Sequence, residues 1–188
     1  MKEHCEKLLE ANMIVPTNTT TWLAAATVVP KKDPVTGEWN LLRFCVDYRK
    51  LNEATLDDPY PLPRTDMLLD ELAGHAFYTT LDCLARYHSV DIAPASQPLT
   101  AFLTPFGIYS WRVMPFGVKN APACYMRIID HTLLGVKEAA AFVDDICQGA
   151  DTEKAIAPNP ETLLSKMAGA ALRCKPLNSW AIVYRVRD

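Results

Sequence analysis

The sequence predicts an α+β fold whose main sheet has a split βαβ, ferredoxin-like arrangement. First, the 188 residues are 49% hydrophobic and 22% charged, which is enough apolar material for one core or one core with a smaller lobe. Second, short apolar segments with strand character alternate with segments of helical periodicity. Third, these elements include the order strand, helix, hairpin, helix and strand, which suits a split βαβ sheet.

The first predicted element is a short amphipathic helix over residues 2–13, where apolar side chains recur at helical spacing. Residues 27–29 then predict a strand. A turn over 33–38, which contains a proline and a glycine, leads to a returning strand over 39–48. The predicted hairpin carries three basic residues, namely Lys31, Lys32 and Arg43.

A proline-rich stretch over residues 57–63 follows. Its three prolines prevent regular helix and sheet pairing, so the chain is predicted to be extended there. The next helix is predicted to be capped by Thr65 and ended by Gly74. Phe77 begins an apolar strand that is predicted to end on Asp82.

The remaining elements lie in the second half of the chain. Two strands are predicted at 99–103 and 109–113, joined by a proline–glycine turn. Asn120 is the expected N-cap of a helix whose apolar residues keep the 3.6-residue period up to Gly135. The last predictions are a tight two-stranded hairpin at 139–150, a helix at 163–171 and a strand at 180–186.

Composition excludes several classes of protein. No run of 18 apolar residues occurs, and the N-terminus lacks a basic-then-apolar signal, so we expect an intracellular protein, cytoplasmic or nuclear, without a membrane span. The six cysteines form no CxxC pair and are interpreted as small core hydrophobes. A net charge of −3 lacks the basic excess that a self-sufficient nucleic-acid binder usually shows.

Three carboxylates form the candidate reactive site. Asp144 and Asp145 occupy the tip of the predicted apolar hairpin, and Asp82 follows another apolar strand. Adjacent carboxylates repel unless a cation intervenes, and hard oxygen ligands suit Mg²⁺ or Mn²⁺. Adjacent acids also occur by chance in a chain with 22 of them, so a solvated turn is the alternative. The three basic residues of the first predicted hairpin also have two interpretations: they contact phosphate groups, or they simply form the solvent-exposed face of the hairpin.

Five sequence blocks, in this order and spacing, resemble the reverse-transcriptase core of gypsy-like LTR retrotransposons. They are FCVDYRKLNEAT (44–55), DDPYPLPRTDMLLDEL (57–72), TTLDCLARYHSVDIA (79–93), PLTAFLTPFGIYSWRVMPFGVKNAPACYMRIID (98–130) and AFVDDI (141–146). The resemblance covers roughly residues 5–150. It implies fingers over 1–76 and a ferredoxin-like palm over 77–188, with inserted fingers strands around 95–118. The chain would then be truncated before the thumb and incomplete at the C-terminus of the palm.

The resemblance also implies roles for individual residues. Asp82, Asp144 and Asp145 match the catalytic carboxylates that hold two Mg²⁺ ions in this family. The residues implied to bind the nucleotide are Lys31, Lys32, Arg43, Tyr87, Phe116 and Gly117. Among them Tyr87 matches the aromatic gate against a ribose 2′-hydroxyl, and Phe116 with Gly117 matches the segment beside the nascent base pair. The implied partners are a primer–template of RNA or DNA, a deoxynucleotide, and the rest of a polyprotein or other protein subunits.

Several positions depart from the family pattern. Phe142 stands where tyrosine is usual, Leu99 where lysine is usual, and Ser89 where glutamine is usual. Arg86 stands where glycine or alanine is usual, and its bulk beside the gate would crowd a nucleotide. Beyond residue 150 the match fades, so residues 151–188 receive no role.

Two functional hypotheses therefore stand side by side. The first is template-directed DNA synthesis by an RNA-directed DNA polymerase, a nucleotidyltransferase. The alternative is a reverse-transcriptase fold recruited as a structural or interaction subunit, with weak or lost catalysis. Three retained carboxylates favour the first hypothesis, whereas Arg86 and the acidic balance favour the second. As it stands, the chain is expected to be poorly active alone.

Overall fold

The computed structural model describes residues 1–18, 22–33, 36–39, 41–84, 86–136, 138–143, 145–152, 165–170, 172–174 and 184–185. The helices are α1 (Lys2–Glu10), α2 (Arg49–Ala54), α3 (Thr65–Leu72) and α4 (Ala121–Leu133). The strands are β1 (Ile14–Pro16), β2 (Ala24–Lys31), β3 (Leu41–Val46), β4 (Phe77–Leu84), β5 (Phe102–Thr104), β6 (Gly107–Trp111), β7 (Ala139–Phe142), β8 (Asp145–Ala150), β9 (Arg173–Cys174) and β10 (Tyr184–Arg185). Short 3₁₀ helices cover Arg86–Ser89 and Gln97–Thr100, and residues 165–169 are helical. None of the helices within these residues is long and apolar enough to cross a bilayer.

The chain divides into two compact units, each built from two separate stretches of sequence. The first unit contains residues 1–57 and 90–121, and the second contains residues 58–89 and 122–188. The sequence-based division places 1–76 in the fingers with an insertion near 95–118. In the structure the insertion belongs to the first unit, but residues 58–76 belong to the second, because α3 packs against β7 and β8.

The first unit is a five-stranded sheet in the order β1-β6-β5-β2-β3, with one parallel pair between β2 and β5. Strand β2 alternates between half-buried and exposed residues, as expected for a sheet with one face on a core. The core centres on Phe102, which is fully buried and has its ring centroid 5.6 Å from that of Phe44 and 5.8 Å from that of Trp111. Tyr48 joins this core and donates a 2.8 Å hydrogen bond to the Thr100 carbonyl oxygen; burial raises the pKa of its hydroxyl.

The second unit confirms the predicted ferredoxin-like sheet. Its strands lie in the order β10-β4-β8-β7, and each neighbouring pair is antiparallel. If β4, β7, β8 and β10 are numbered 1 to 4 in chain order, their order across the sheet is 4-1-3-2. Helix α4 connects the first two of these strands, which gives the split βαβ connection. Buried apolar residues of this unit include Leu81, Tyr125, Met126, Ile129, Ile146 and Met167.

Several predicted boundaries differ from the observed ones. Strand β4 continues through Asp82 to Leu84, because its last two residues pair with β9. Thr65 is the first residue of α3 instead of its cap; the cap position is Arg64, which makes no side-chain capping bond. Helix α1 ends at Glu10, since Asn12 adopts a left-handed φ of 57°. Part of the predicted strand at 99–103 belongs to a 3₁₀ helix.

Two predicted elements extend beyond the described residues. The helix predicted at 163–171 is observed at 165–169, while Leu163, Leu164 and Ala171 lie outside the described residues. Of the strand predicted at 180–186, the described residues Tyr184 and Arg185 pair with Tyr78 and Phe77 of β4. Strand β1 and helix α2 are not predicted by the sequence patterns.

Candidate functional site

Two of the three candidate carboxylates belong to the central strands of the second unit. Asp82 of β4 and Asp145 of β8 are direct partners in the antiparallel ladder. Residues directly opposite in such a ladder lie on the same face of the sheet, with Cβ atoms about 5 Å apart. The Asp145 side chain is exposed to solvent. The backbone register therefore places these two positions beside each other at the N-terminal end of β8.

The hairpin between β7 and β8 has an unusual backbone at its tip. Phe142 pairs with Asp145, which leaves Val143 and Asp144 as a two-residue connection. Val143 has φ +56°, a left-handed conformation that β-branched residues rarely adopt. Its backbone N–H donates to the Met126 sulfur at 3.2 Å, which ties the tip to helix α4. Strained backbone of this kind is concentrated at functional sites.

The complete metal site stays a prediction. Asp144, and the side chain of Asp82, lie outside the described part of the structure. Among the side chains that are described, no three His, Cys, Asp or Glu residues gather into a metal site. Asp145 is the one member of the proposed trio within that set. The donor chemistry nevertheless fits Mg²⁺ or Mn²⁺, which prefer carboxylate oxygens, and the ladder supplies two such residues as neighbours.

Tyr87 lies in the 3₁₀ helix that follows β4 and is half-buried. Its ring makes an edge-on contact with Tyr125 of α4, with 5.7 Å between centroids and an interplanar angle of 88°. Tyr125 is itself almost completely buried, so it provides a fixed wall for the Tyr87 ring. Tyr87 is a predicted site residue, whereas Tyr125 is not, because its contact with Tyr87 joins elements that are distant in sequence. Arg86 is the first residue of the same 3₁₀ helix, and its side chain lies outside the described part of the structure.

The basic candidates lie on the hairpin of the first unit. Val29 pairs with Arg43, and Lys31 pairs with Leu41, so Lys31 and Arg43 occupy the same face at diagonal positions. This face is opposite to the one that Phe44 and Val46 present to the core. Both side chains are exposed. Lys32 instead has its ammonium 5.8 Å from the ring centroid of Trp39, a cation–π contact that the sequence did not indicate.

Phe116 and Gly117 lie in a loop of the first unit, residues 114–120, which we call the 114–120 loop. Gly117 has φ +90°, a conformation that favours glycine. The side-chain amide of Asn52 donates to the Gly117 carbonyl oxygen at 2.8 Å and accepts from the Lys119 backbone N–H at 2.8 Å. Asn52 lies inside the RKLN part of the first matching block, but the block alone predicts no role for it.

A second cluster that the sequence analysis missed holds the proline-rich segment against α4 in the second unit. Arg127 donates to both carboxylate oxygens of Asp58 at 2.8 Å, and its guanidinium lies 4.8 Å from the ring centroid of Tyr60. This bond to Arg127 lowers the pKa of Asp58. The Tyr60 hydroxyl donates to Asp130, and this hydrogen bond raises the pKa of Tyr60. The contacts span about 70 residues of sequence, so local patterns gave no signal for them.

Comparison with known proteins gives a consistent assignment. A family model described as "Reverse transcriptase (RNA-dependent DNA polymerase)" matches residues 29–177. The chain is 39% identical over 133 residues to a retrovirus-related Pol polyprotein from transposon 297 of Drosophila melanogaster, which covers 70% of this chain and 12% of that polyprotein. It is 35% identical over 147 residues to an enzymatic polyprotein of soybean chlorotic mottle virus, covering 77% of this chain and 21% of the relative.

Two further similarities concern a shorter relative and a solved structure. An RNA-directed DNA polymerase homolog of Oenothera berteroana is 37% identical over 107 residues, covering 56% of this chain and 75% of the homolog. The crystal structure of the prototype foamy virus protease-reverse transcriptase superposes with a TM-score of 0.80 at 24% identity, covering 98% of this chain and 25% of that one. At this identity the superposition supports the fold alone. The chain thus spans less than a quarter of the polyproteins it matches.

Proposed function

The chain belongs to the reverse-transcriptase (RNA-dependent DNA polymerase) family, and we propose that it carries the nucleotidyl-transfer site of template-directed DNA synthesis. The proposed substrates are a deoxynucleoside triphosphate and the 3′-hydroxyl of a primer annealed to an RNA or DNA template. The primer oxygen forms a bond to the α-phosphorus, the α–β phosphoanhydride bond breaks, pyrophosphate leaves, and the hydroxyl proton passes to solvent.

The chain's own residues would divide this task. Asp82, Asp144 and Asp145 would hold Mg²⁺, or Mn²⁺ in its place. When bound, the metal lowers the pKa of the attacking hydroxyl and neutralises charge on the leaving group. Lys31, Lys32 and Arg43 would contact the triphosphate, since a guanidinium offers paired N–H donors and an ammonium a compact charge. Tyr87 would lie against the sugar, supported by its contact with Tyr125.

One observation carries the proposal, namely that Asp82 and Asp145 are direct partners in the ladder between β4 and β8. Two acidic residues at directly opposed ladder positions concentrate negative charge, which favours the binding of a divalent cation. A purely structural subunit has no physical need for such a pair, so the polymerase proposal is preferred to the alternative of a recruited scaffold.

The test is single-nucleotide insertion by the 188-residue chain on a labelled primer–template, with Mg²⁺ and Mn²⁺ compared. We expect Asp145→Asn to lower insertion by about a hundredfold or more, because a neutral amide is a weaker ligand for the metal. Asp70→Asn is the matched control, since Asp70 is an exposed acid of the same unit on α3. Mn²⁺ binding followed by paramagnetic relaxation gives a second readout, which should weaken in Asp145→Asn alone. Equal insertion by the two variants would contradict the proposal.

A further inference from the structure

Asn52 bridges two parts of the first unit that lie far apart in sequence. Its Nδ2 donates to the carbonyl oxygen of Gly117, and its Oδ1 accepts from the backbone N–H of Lys119, each at 2.8 Å. The two bonds use the donor and the acceptor of one planar carboxamide on two peptide groups of one short loop. Both distances are in the range of well-formed hydrogen bonds. Asn52 therefore fixes the orientation of the peptide groups on either side of Val118.

The backbone that Asn52 holds would not be fixed by its own local preferences. Gly117 has φ +90°, and a Cβ there would meet only ordinary contacts, at 3.8 Å from Tyr48 Cδ2 and 3.9 Å from the Val46 carbonyl oxygen. The glycine is thus needed for its conformation and not for space. Glycine has many alternative conformations, so a single one persists only where neighbouring groups select it. Phe116, the residue before Gly117, is 49% exposed. The direction of its ring therefore depends on the backbone conformation at Gly117.

Other bonds hold the end of the loop. Lys119 forms an ion pair with Asp57 at 2.7 Å and donates to the Thr55 carbonyl oxygen at 3.2 Å. Asn120 donates to the Leu56 carbonyl oxygen at 2.8 Å. If Asn52 is removed, these contacts keep the loop attached, while the Gly117 carbonyl and the Lys119 N–H turn to water. The expected result is a loop that is attached but less ordered at Phe116 and Gly117.

We infer that Asn52 is a positioning residue that sets nucleotide selectivity by holding the wall formed by Phe116 and Gly117. The inference rests on the proposed function, in which this wall lies beside the nascent base pair. A wall that is held rigidly distinguishes a matched base pair from a misshapen one, whereas a loose wall adapts to both. Asn52 acts through the loop backbone, so its loss changes the binding of the incoming nucleotide more than the chemical step.

The experiment compares Asn52→Ala and Asn52→Asp with the unaltered 188-residue chain in single-nucleotide insertion. For Asn52→Ala we expect KM for the matched deoxynucleotide to rise about tenfold, with kcat within about threefold, and the preference for matched over mismatched nucleotide to fall about tenfold. Asn52→Asp keeps an acceptor for Lys119 but loses the donor to Gly117. Its KM and its preference for the matched nucleotide should therefore lie between those of the unaltered chain and those of Asn52→Ala. Asn12→Gly is the control, because it removes the bond between Asn12 and Arg112 in the same unit and retains the left-handed φ of residue 12.

Hydrogen exchange at the Lys119 amide tests the structural step without activity. This amide should be protected in the unaltered chain and in Asn12→Gly, and should exchange faster in Asn52→Ala while the thermal unfolding transition stays cooperative. If Asn52→Ala does not fold, the isosteric Asn52→Asp decides by the same readouts. Unchanged selectivity in a folded Asn52 variant overturns this inference alone. Absence of metal-dependent insertion by the unaltered chain overturns the proposed function and the inference with it.

Discussion

At the scale of single residues, Val143 shows how the hairpin tip is held in an unfavourable state. A left-handed φ costs a β-branched residue on the order of 1–3 kcal/mol. The conformation persists because the ladder on both sides fixes the two ends, and because the Val143 N–H is bound to the Met126 sulfur. Val143 is the sequence neighbour of Asp144, one of the three candidate carboxylates. We therefore interpret the strain as part of the site.

Arg86 is expected to limit entry of the nucleotide. The prediction comes from its size at a position that the family fills with glycine or alanine, beside Tyr87 in the 3₁₀ helix Arg86–Ser89. Arg86→Gly should increase the rate of single-nucleotide insertion at low deoxynucleotide concentration. The measurement is kcat/KM for a matched nucleotide.

Arg86→Lys is the control for this change, since it keeps a long cationic side chain and should behave like the unaltered chain. A rate for Arg86→Gly that is equal to or below that of the unaltered chain would show that the arginine does not limit access.

The sequence allowed several residues of the site to be identified, but it did not allow the contacts between site residues to be predicted. Asp82, Asp145 and Tyr87 were named because they lie in recognisable blocks. Tyr125, Asn52 and Arg127 were not, since each acts through a partner that is distant in sequence, as in the bond from Asn52 to Gly117. A sequence pattern carries the type of a side chain, but the partner is set by the register of strands that meet only in the folded state.

At the scale of elements, strand β8 depends on a glycine for a steric reason. A Cβ at Gly149 would lie 2.3 Å from His75 Cδ2 and 2.7 Å from His75 Cγ. The His75 ring has little freedom to move away, because its Nδ1 is hydrogen-bonded to Asp151 at 3.0 Å and the ring makes a T-shaped contact with Tyr78, with 6.4 Å between centroids. Gly149→Ala should therefore destabilise the second unit by about 1–3 kcal/mol, measured by chemical denaturation.

Gly169→Ala provides the matched control, because nothing lies within 4 Å of a Cβ at that position in the helical segment 165–169. It should change the free energy of unfolding by less than about 0.5 kcal/mol or stabilise slightly. In a His75→Ala background, Gly149→Ala should lose most of its effect. An equal cost with and without His75 would rule out the steric explanation.

The elements that were predicted well have strong local signals. The hairpin of β7 and β8 was predicted because two apolar runs flank a pair of acids. Helix α2 was missed because its N-cap, Tyr48, makes no side-chain capping bond and the helix has only six residues. Strand β4 was predicted too short because its extension depends on β9, which lies about 90 residues later. Local propensity cannot report a partner of this kind.

At the scale of the whole molecule, charge limits how firmly the chain can hold a nucleic-acid duplex. Its net charge is −3, whereas duplex affinity comes largely from basic side chains that neutralise phosphates. We expect the 188-residue chain to insert single nucleotides but to leave the primer after one or a few steps. Primer extension in the presence of excess unlabelled trap duplex measures this, together with a salt titration of binding.

The control is the same assay with the chain fused to a basic duplex-binding segment, which should extend the primer further before it dissociates. Extension over many nucleotides by the 188-residue chain alone, as a monodisperse monomer in light scattering, would contradict the prediction.

The overall topology was predictable in one unit more than in the other. The second unit has the predicted split βαβ arrangement, because its strand, helix and hairpin sequence leaves few alternatives with a right-handed crossover. In the first unit, the parallel pairing of β2 with β5 joins Ala24 to Phe102 and Ala25 to Leu103. Nothing in either strand identifies the other, and the intervening sequence contributes β4 to the second unit.

The discontinuity of the two units has a consequence for the nascent chain. A ribosome delivers residues from the N-terminus onward, so β2 and β3 emerge and can pair as a hairpin well before β5 exists. Until Phe102 is synthesised, the edge of β2 that it will cover has its N–H and C=O groups open to water or to another chain. The first unit can close once residue 121 is available, whereas the second still awaits β10 at 184–185. Synthesis therefore imposes an order in which the basic hairpin and the 114–120 loop are complete before the carboxylate sheet is.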